Sequence, residues 1–105
     1  MRKIIFFLFL IILINGCAKT STKSSKDIAI DACKAECQKA VDEGTDLGNG
    51  PCLSNKLIDD WVCDVAHSPR EEIDNQQENQ CSAFRTGEAH HFVELDENCS
   101  LIKVR

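Results

Sequence analysis

Residues 27–43, DIAIDACKAECQKAVDE, form the most regular pattern in the chain. Four residues recur at intervals of three and four, which is the spacing of one helix face; they are Ile30, Cys33, Cys37 and Val41. A serine before this segment, Ser24 or Ser25, can supply the N-cap oxygen, and Gly44 can end the helix. The pattern therefore predicts a helix with two cysteines on one side.

Cys33 and Cys37 cannot easily bond to each other in such a helix. The Cβ atoms of residues four apart lie about 5–6 Å from one another, whereas a disulfide needs about 3.8 Å. We therefore expect each cysteine to bond to a different segment and to attach the helix to the rest of the domain.

The chain contains seven cysteines, and six of them fall in residues 27–105. An even number of cysteines in a small domain indicates a disulfide framework where the compartment is oxidising, because so small a core needs covalent support. Each bond contributes about 2–4 kcal/mol by restricting the unfolded chain. We predict three disulfides, with the pairing open, among Cys33, Cys37, Cys52, Cys63, Cys81 and Cys99.

Residues 1–16 have the composition of an export signal. Arg2 and Lys3 provide a positive start, residues 4–14 are uniformly apolar, and Gly16 is a small residue at the end. The apolar run is too short to span a bilayer, which takes about 20 residues.

The segment Ile14-Asn15-Gly16-Cys17 resembles the lipobox of prokaryotic lipoproteins. The resemblance implies that the Cys17 thiol carries a fatty acyl group such as palmitate and that cleavage falls just before it. The mature protein would then be anchored by lipid to the extracytoplasmic side of the cell membrane, with inner or outer membrane left open. Assigning Cys17 to lipid also leaves the even number of six cysteines.

The mature chain is predicted to have two parts. Residues 17–26 hold the lipidated cysteine and a tether rich in Ser, Thr and Lys, which is typical of a flexible linker. Nine such residues span roughly 17 Å. Residues 27–105 form the disulfide-stapled domain.

Alternation of apolar and polar residues predicts the strands. In residues 57–66, Trp61, Cys63 and Val65 share one face, while Val62 and Asp64, with Asp60, share the other. Residues 89–104 predict a β-hairpin, since a turn sequence at 96–98 separates two alternating runs. The predicted fold is a small, disulfide-rich α+β domain with one N-terminal helix packed on a three-stranded antiparallel sheet.

Residues 70–87 predict a long polar loop, anchored by Cys81 and Phe84. Its acids form the most acidic surface feature of the chain; they are Glu71, Glu72, Asp74 and Glu78. Long loops in small domains are often functional. Outside the signal, the aromatic residues are Trp61, Phe84 and Phe92. We predict that they pack together in a small core.

The charge excludes one class of partner. The chain has a formal charge of −5, and losing Arg2 and Lys3 with the signal makes the mature chain −7. An acidic surface repels phosphate backbones, so nucleic acid is not an expected partner. Attraction to anionic lipid is disfavoured as well, so the membrane link depends on the acyl chains.

The histidines define an alternative hypothesis. His67 ends the predicted strand 57–66, and His90 and His91 begin the hairpin. If these strands pair antiparallel, the three imidazoles meet at one end of the sheet, where a carboxylate could complete a Zn or Cu site; the candidates are Asp64, Glu88 and Glu94. Neighbouring strand residues face opposite sides, so only one of His90 and His91 could join His67. No metal-binding motif is present, and we favour unliganded histidines and no cofactor.

The sequence favours a binding role. An anchor, a tether and a small stapled body suit an interaction module of the cell envelope, whose partner is an envelope protein or an extracellular ligand. The predicted contact surface is loop 70–87 with the histidine end of the sheet. No catalytic residue is assigned, because no nucleophile or phosphate-binding motif occurs. The alternative is a small metal-binding protein or metal-dependent enzyme that uses His67 with His90 or His91.

Overall fold

A computed structural model describes residues 22–105. The predicted signal peptide 1–16, the predicted lipidation site Cys17 and the tether residues 18–21 lie outside the described residues. Within residues 22–105, no helix is both long enough and apolar enough to cross a bilayer.

The first helix, α1, spans Ser25–Asp42. Ser24 caps it, since the Ser24 hydroxyl oxygen accepts a hydrogen bond from the backbone nitrogen of Asp27 at 3.2 Å. The chain leaves the helix through Gly44, whose φ of +81° lies in the left-handed region that glycine adopts without strain. The expected cap and stop are confirmed, although α1 begins before residue 27.

The buried face of α1 is rotated from the predicted one. Its buried residues are Ala29, Cys33, Cys37 and Ala40. Val41, predicted to face the core, is 45% exposed. Ile30 is only partly buried against the same core, so Ala29 and Ala40 hold the fully buried places on either side of the two cysteines.

The sheet has four strands in the order β1-β2-β3-β4. They are β1 (Cys52–Ile58), β2 (Trp61–Val65), β3 (His91–Leu95) and β4 (Leu101–Val104). The β1–β2 and β3–β4 pairs are antiparallel, and the central β2–β3 pair is parallel. The small α+β class is confirmed and the predicted hairpin 89–104 is present, but a three-stranded antiparallel sheet is wrong in strand number and central pairing.

Two features of the chain explain the difference. Residues 57–66 contain the end of β1, a turn and β2, because Asp60 has a φ of +73° and reverses the chain. The connection 66–90 is long enough to carry the chain back along the sheet, so β3 starts at the same end as β2.

Three disulfides join the elements: Cys33–Cys63, Cys37–Cys99 and Cys52–Cys81. The first two connect α1 to β2 and to the turn between β3 and β4. The third connects β1 to the residue before the short helix α2 (Ser82–Arg85). The prediction that Cys33 and Cys37 each bond to a different segment is confirmed.

The sheet has a core on each side. Trp61, Val93 and Leu95 pack with α1 on one side. Val62 and Phe92 pack on the other side with buried residues from the 66–90 connection. The predicted single core of Trp61, Phe84 and Phe92 is therefore wrong, since Trp61 lies on the helix side of the sheet.

Candidate functional site

A cavity of about 380 Å³ lies on the face of the sheet opposite α1. We call it the Asp64 cavity. Its floor consists of strand residues and its wall of residues from the 66–90 connection, chiefly Arg70, Phe84 and Arg85. Its volume is within the range of small-molecule sites, about 300–1,000 Å³.

The floor follows from strand alternation. Trp61, Cys63 and Val65 face α1, so Val62 and Asp64 face the cavity, as their shared face in the sequence predicts. The parallel register sets Phe92 beside Val62 and Glu94 beside Asp64. Lys103 lies opposite Glu94 on β4. Asp64, Glu94 and Lys103 therefore form a charged row across three adjacent strands.

The wall is fixed to the sheet by covalent and polar contacts. The Cys52–Cys81 disulfide fixes its middle, and the Asn55 side chain accepts a hydrogen bond from the backbone nitrogen of Ala83 at 2.9 Å. The predicted loop 70–87 is in fact short helical turns at Glu72–Asn75, Gln77–Asn79 and Ser82–Arg85. Cys81 is an anchor as expected, whereas Phe84 is 40% exposed.

Arg70 joins the wall to the floor. Its Nη1 donates to Glu94 Oε2 at 3.1 Å, its Nε donates to Asn75 Oδ1 at 2.9 Å, and its Nη2 donates to the carbonyl oxygen of Asp74 at 3.0 Å. Three contacts hold the guanidinium in one orientation, so the charge of Glu94 is largely neutralised by Arg70.

Asp64 is the most unusual group in the cavity. Within the described part of the chain, its buried Oδ1 atom has no hydrogen-bond partner. Burial, reinforced by the nearby Glu94 carboxylate, raises the pKa of Asp64 to about 7. Near neutral pH this carboxyl group can therefore hold a proton and donate a hydrogen bond, or release the proton and accept one.

The remaining lining combines positive charge with an aromatic surface. Arg85 and Lys103 line the cavity, and neither makes an ion pair with any residue of 22–105. The rings of Phe84 and Phe92 meet edge to face, with centroids 5.0 Å apart. An apolar wall with a few polar groups is typical of small-molecule sites.

Two other surface cavities carry the opposite charge. One is lined by Glu36 and Glu43 with Lys39, and the other by Lys56 with three acids, Asp59, Asp60 and Glu88. Positive charge is thus concentrated in the Asp64 cavity, although the chain as a whole is acidic.

The three histidines do not meet. Since β2 and β3 are parallel, His67 follows β2 at the Val65–Leu95 end of the pair, and His90 and His91 lie at the Trp61 end. The expected gathering at one end of the sheet is therefore wrong. Among residues 22–105, no group of three or more His, Cys, Asp or Glu side chains has a geometry that could hold a metal ion.

Each histidine has another contact in the structure. His90 Nδ1 lies 2.7 Å from Asp60 Oδ1. The His91 ring stacks on Trp61, with centroids 4.7 Å apart. His67 is 9% exposed at its side chain, and its Nδ1 lies 3.0 Å from Asp74 Oδ1.

Asp74 is buried, in contrast to the predicted acidic surface of loop 70–87. Its side chain is 1% exposed, and its Oδ2 accepts hydrogen bonds from the backbone nitrogens of His67 at 3.0 Å and Glu71 at 2.9 Å. Burial alone would raise the pKa of Asp74, but these bonds and the His67 ring outweigh it and lower the pKa. The bond to Asp74 raises the pKa of His67.

The space around Asp74 permits no larger residue at position 50. A Cβ atom on Gly50 would come within 2.4 Å of Asp74 Oδ1, and Gly50 has a left-handed φ of +66°. The contacts of Asp74 with His67 and with the backbone of Glu71 hold together the start of the cavity wall. The sequence alone does not distinguish Asp74 from its acidic neighbours.

No family model, no curated protein and no solved structure matches this chain.

Proposed function

We propose that this protein is a lipid-anchored binding module on the extracytoplasmic side of the cell membrane and that the Asp64 cavity holds a small ligand. The observation that carries the proposal is the unpartnered Oδ1 of Asp64 on the floor of a cavity lined by aromatic and charged side chains. Leaving a buried polar atom unpaired costs about 1–3 kcal/mol. Asp64 as a whole is only partly buried, so a ligand in the cavity can bond to its carboxyl group.

The cysteines support the anchored and exported part of the proposal. All six cysteines of residues 22–105 pair with one another, so none of them pairs with Cys17. Three disulfides suit an oxidising compartment. Together with the lipobox-like segment 14–17, this pairing favours Cys17 as the acylated residue.

The wall supports the binding part of the proposal. It is fastened to the sheet by the Cys52–Cys81 disulfide and by Arg70, so the cavity exists before a ligand arrives. A preformed site loses less conformational entropy on binding than one that must close around its ligand. This preformed cavity is therefore better suited to binding a small molecule than a flexible surface would be.

The test is native mass spectrometry of the protein extracted from its own membranes in mild detergent. We expect the natural protein to retain a non-covalent small molecule. Asp64→Leu should lose this molecule, because leucine can neither donate nor accept a hydrogen bond. Asp42→Leu is the matched control, since Asp42 is exposed on α1 at the opposite side of the sheet. An identical set of bound masses in all three proteins, or no bound molecule in any, would contradict the proposed function.

A further inference from the structure

We propose that the Asp64 cavity binds a small apolar monocarboxylate whose carboxylate lies between Asp64 and the cations of Arg85 and Lys103. This inference rests on the proposed binding function and names the class of ligand.

The charges on the lining favour an anion. Arg70 and Glu94 neutralise each other through their 3.1 Å contact. Of the remaining charged groups, Arg85 and Lys103 are positive and only Asp64 can be negative. The lining is therefore positive even when Asp64 is ionised, and an anion gains Coulomb energy on entering it.

The rest of the lining favours an apolar body. Val62, Phe84 and Phe92 supply the apolar part of the cavity. Phe84 is 40% exposed although it contacts Phe92, so aromatic surface remains for a ligand to cover. Each CH₂ group removed from water contributes about 0.8 kcal/mol.

Asp64 then acts as a hydrogen-bond donor to the ligand. Protonated Asp64 can donate its O–H to the ligand carboxylate, which satisfies the group that otherwise has an unpartnered oxygen. A hydrogen bond to a charged acceptor is worth more than a neutral one, about 1.5–3 kcal/mol. When Asp64 is ionised, the same contact brings two negative groups together and is lost.

The groups that face Asp64 determine the sign of the pH dependence. Glu94 on β3 and Asp74 from the wall raise the pKa of Asp64, while Arg70 lowers it. Lys103 on β4 and Arg85 on α2 line the same cavity. On the other side, β1 sets the uncharged Cys52 opposite Asp64.

A bound carboxylate adds one more negative charge beside Asp64 and favours its protonated form further. Binding therefore takes up a proton from solution when Asp64 starts ionised. By linkage, affinity falls up to tenfold per pH unit as the pH rises above the point at which free Asp64 titrates.

An ammonium ligand would behave in the opposite way. It would pair with Asp64 and Glu94 only after Asp64 had lost its proton, so its affinity would rise with pH. It would also meet the positive charges of Arg85 and Lys103. The direction of the pH dependence thus separates the two classes of ligand.

The experiment is calorimetry of the natural protein with three probes that share one apolar body, phenylacetate, 2-phenylethanol and 2-phenylethylamine. A second series uses octanoate, 1-octanol and octylamine. We expect the two carboxylates to bind at least about tenfold more tightly than the alcohols and amines at about pH 6. At about pH 8 their affinity should fall, with uptake of about one proton, measured from the dependence of the enthalpy on the buffer.

Variants locate the effect in the cavity. Asp64→Asn should still bind the carboxylates, because its amide donates a hydrogen bond, but should lose the pH dependence. Lys103→Gln should weaken carboxylate binding about tenfold, and Lys39→Gln, in the acidic cavity beside α1, should leave it unchanged.

The possible failures are distinguishable. If an alcohol or amine binds as tightly as its matched carboxylate, or if Asp64→Asn keeps the full pH dependence, the carboxylate inference is overturned and the binding function stands. If no probe of any charge binds, the carboxylate inference is also overturned, and the bound molecule in the membrane-extracted protein then decides the binding function.

Discussion

Asp64 and Asp74 are acids of the same chain, and their surroundings give them opposite properties. Asp74 accepts hydrogen bonds from two backbone nitrogens and from His67, so its pKa is lowered. Asp64 is partly buried beside Glu94, and its Oδ1 is unpartnered; this burial and the Glu94 carboxylate raise the pKa of Asp64 to about 7. One carboxyl group stabilises the fold, and we propose that the other binds a ligand.

Sequence could identify the face of Asp64 but not its role. Strand alternation placed Val62 and Asp64 together, away from the face of Trp61. The unpartnered oxygen and the neighbouring Glu94 depend on the parallel β2–β3 register, which alternation within a single strand does not determine. The buried position of Asp74 could not be predicted for a similar reason, because its contact with His67 forms only in the folded structure.

At this scale, we expect Asp74→Ala to lower the free energy of unfolding by about 3 kcal/mol, because it leaves two backbone nitrogens and a buried imidazole without an acceptor. Because the pKa of Asp74 is lowered, its charged form stabilises the fold above pH 3.8, the ordinary pKa of an aspartate. That contribution is lost as the pH falls through the pKa in the folded state. Because the pKa of His67 is raised, its charged form stabilises the fold below pH 6.5, the ordinary pKa of a histidine. That contribution is lost as the pH rises through the pKa in the folded state.

The measurement is denaturant unfolding at several pH values. The loss should be greatest between pH 3.8 and 6.5, where both charged forms contribute. Glu72→Ala is the control, because Glu72 is exposed in the same helical turn. Equal effects of the two substitutions would show that Asp74 is only another surface acid.

At the scale of the elements, α1 shows what the sequence could predict. The helix, its Ser24 cap, its end at Gly44 and the divergence of Cys33 and Cys37 all follow from local spacing, and all are confirmed. Partner choice does not follow, because it depends on where β2 and the turn before β4 lie. The turn at Asp60 lies inside the predicted strand 57–66, because apolar residues on both sides of Asp59 and Asp60 favour one continuous strand.

Removing two of the disulfides in turn should have different effects on the free energy of unfolding and on ligand affinity. Cys37–Cys99 closes a longer loop than Cys52–Cys81, with sequence separations of 62 and 29. Chain entropy therefore predicts that replacing both cysteines of the longer loop by alanine costs about 0.7 kcal/mol more. Only Cys52–Cys81 holds the cavity wall, so only its removal should weaken ligand binding.

Thermal or denaturant unfolding and the calorimetric titrations check this prediction together. Each double alanine variant serves as the control for the other. Equal losses of carboxylate affinity in both variants would indicate that the wall depends on general stability rather than on its own disulfide.

In the whole molecule, the proposed binding cavity belongs to a domain that we propose is held at the membrane by a lipid anchor. The predicted mature chain has a charge of −7, so anionic lipid headgroups do not attract it, and we propose that its membrane anchor is the acyl group at Cys17. The cavity concentrates positive charge on this acidic body. We therefore expect a domain held near the membrane that collects small acids from its surroundings.

Cys17→Ala should prevent acylation, so that the protein carries no fatty acid. Mass spectrometry should also show that the signal 1–16 is no longer removed at position 17. Thr20→Ala, in the predicted tether, should change neither property. Full retention of Cys17→Ala in the membrane fraction, with the signal removed, would argue against this anchor.

We infer that the fold keeps Asp64 for a ligand at the expense of stability, and the free energy of unfolding of Asp64→Leu decides whether this is so. A carboxyl whose pKa rises to about 7 on folding binds more protons in the folded state, so the natural protein loses stability as the pH rises from about 4 to 7. Asp64→Leu lacks this loss. We predict that it is more stable than the natural protein by about 1–3 kcal/mol at about pH 8, with a smaller difference at about pH 4. A variant less stable than the natural protein at both pH values would show that Asp64 supports the fold and would contradict the claim.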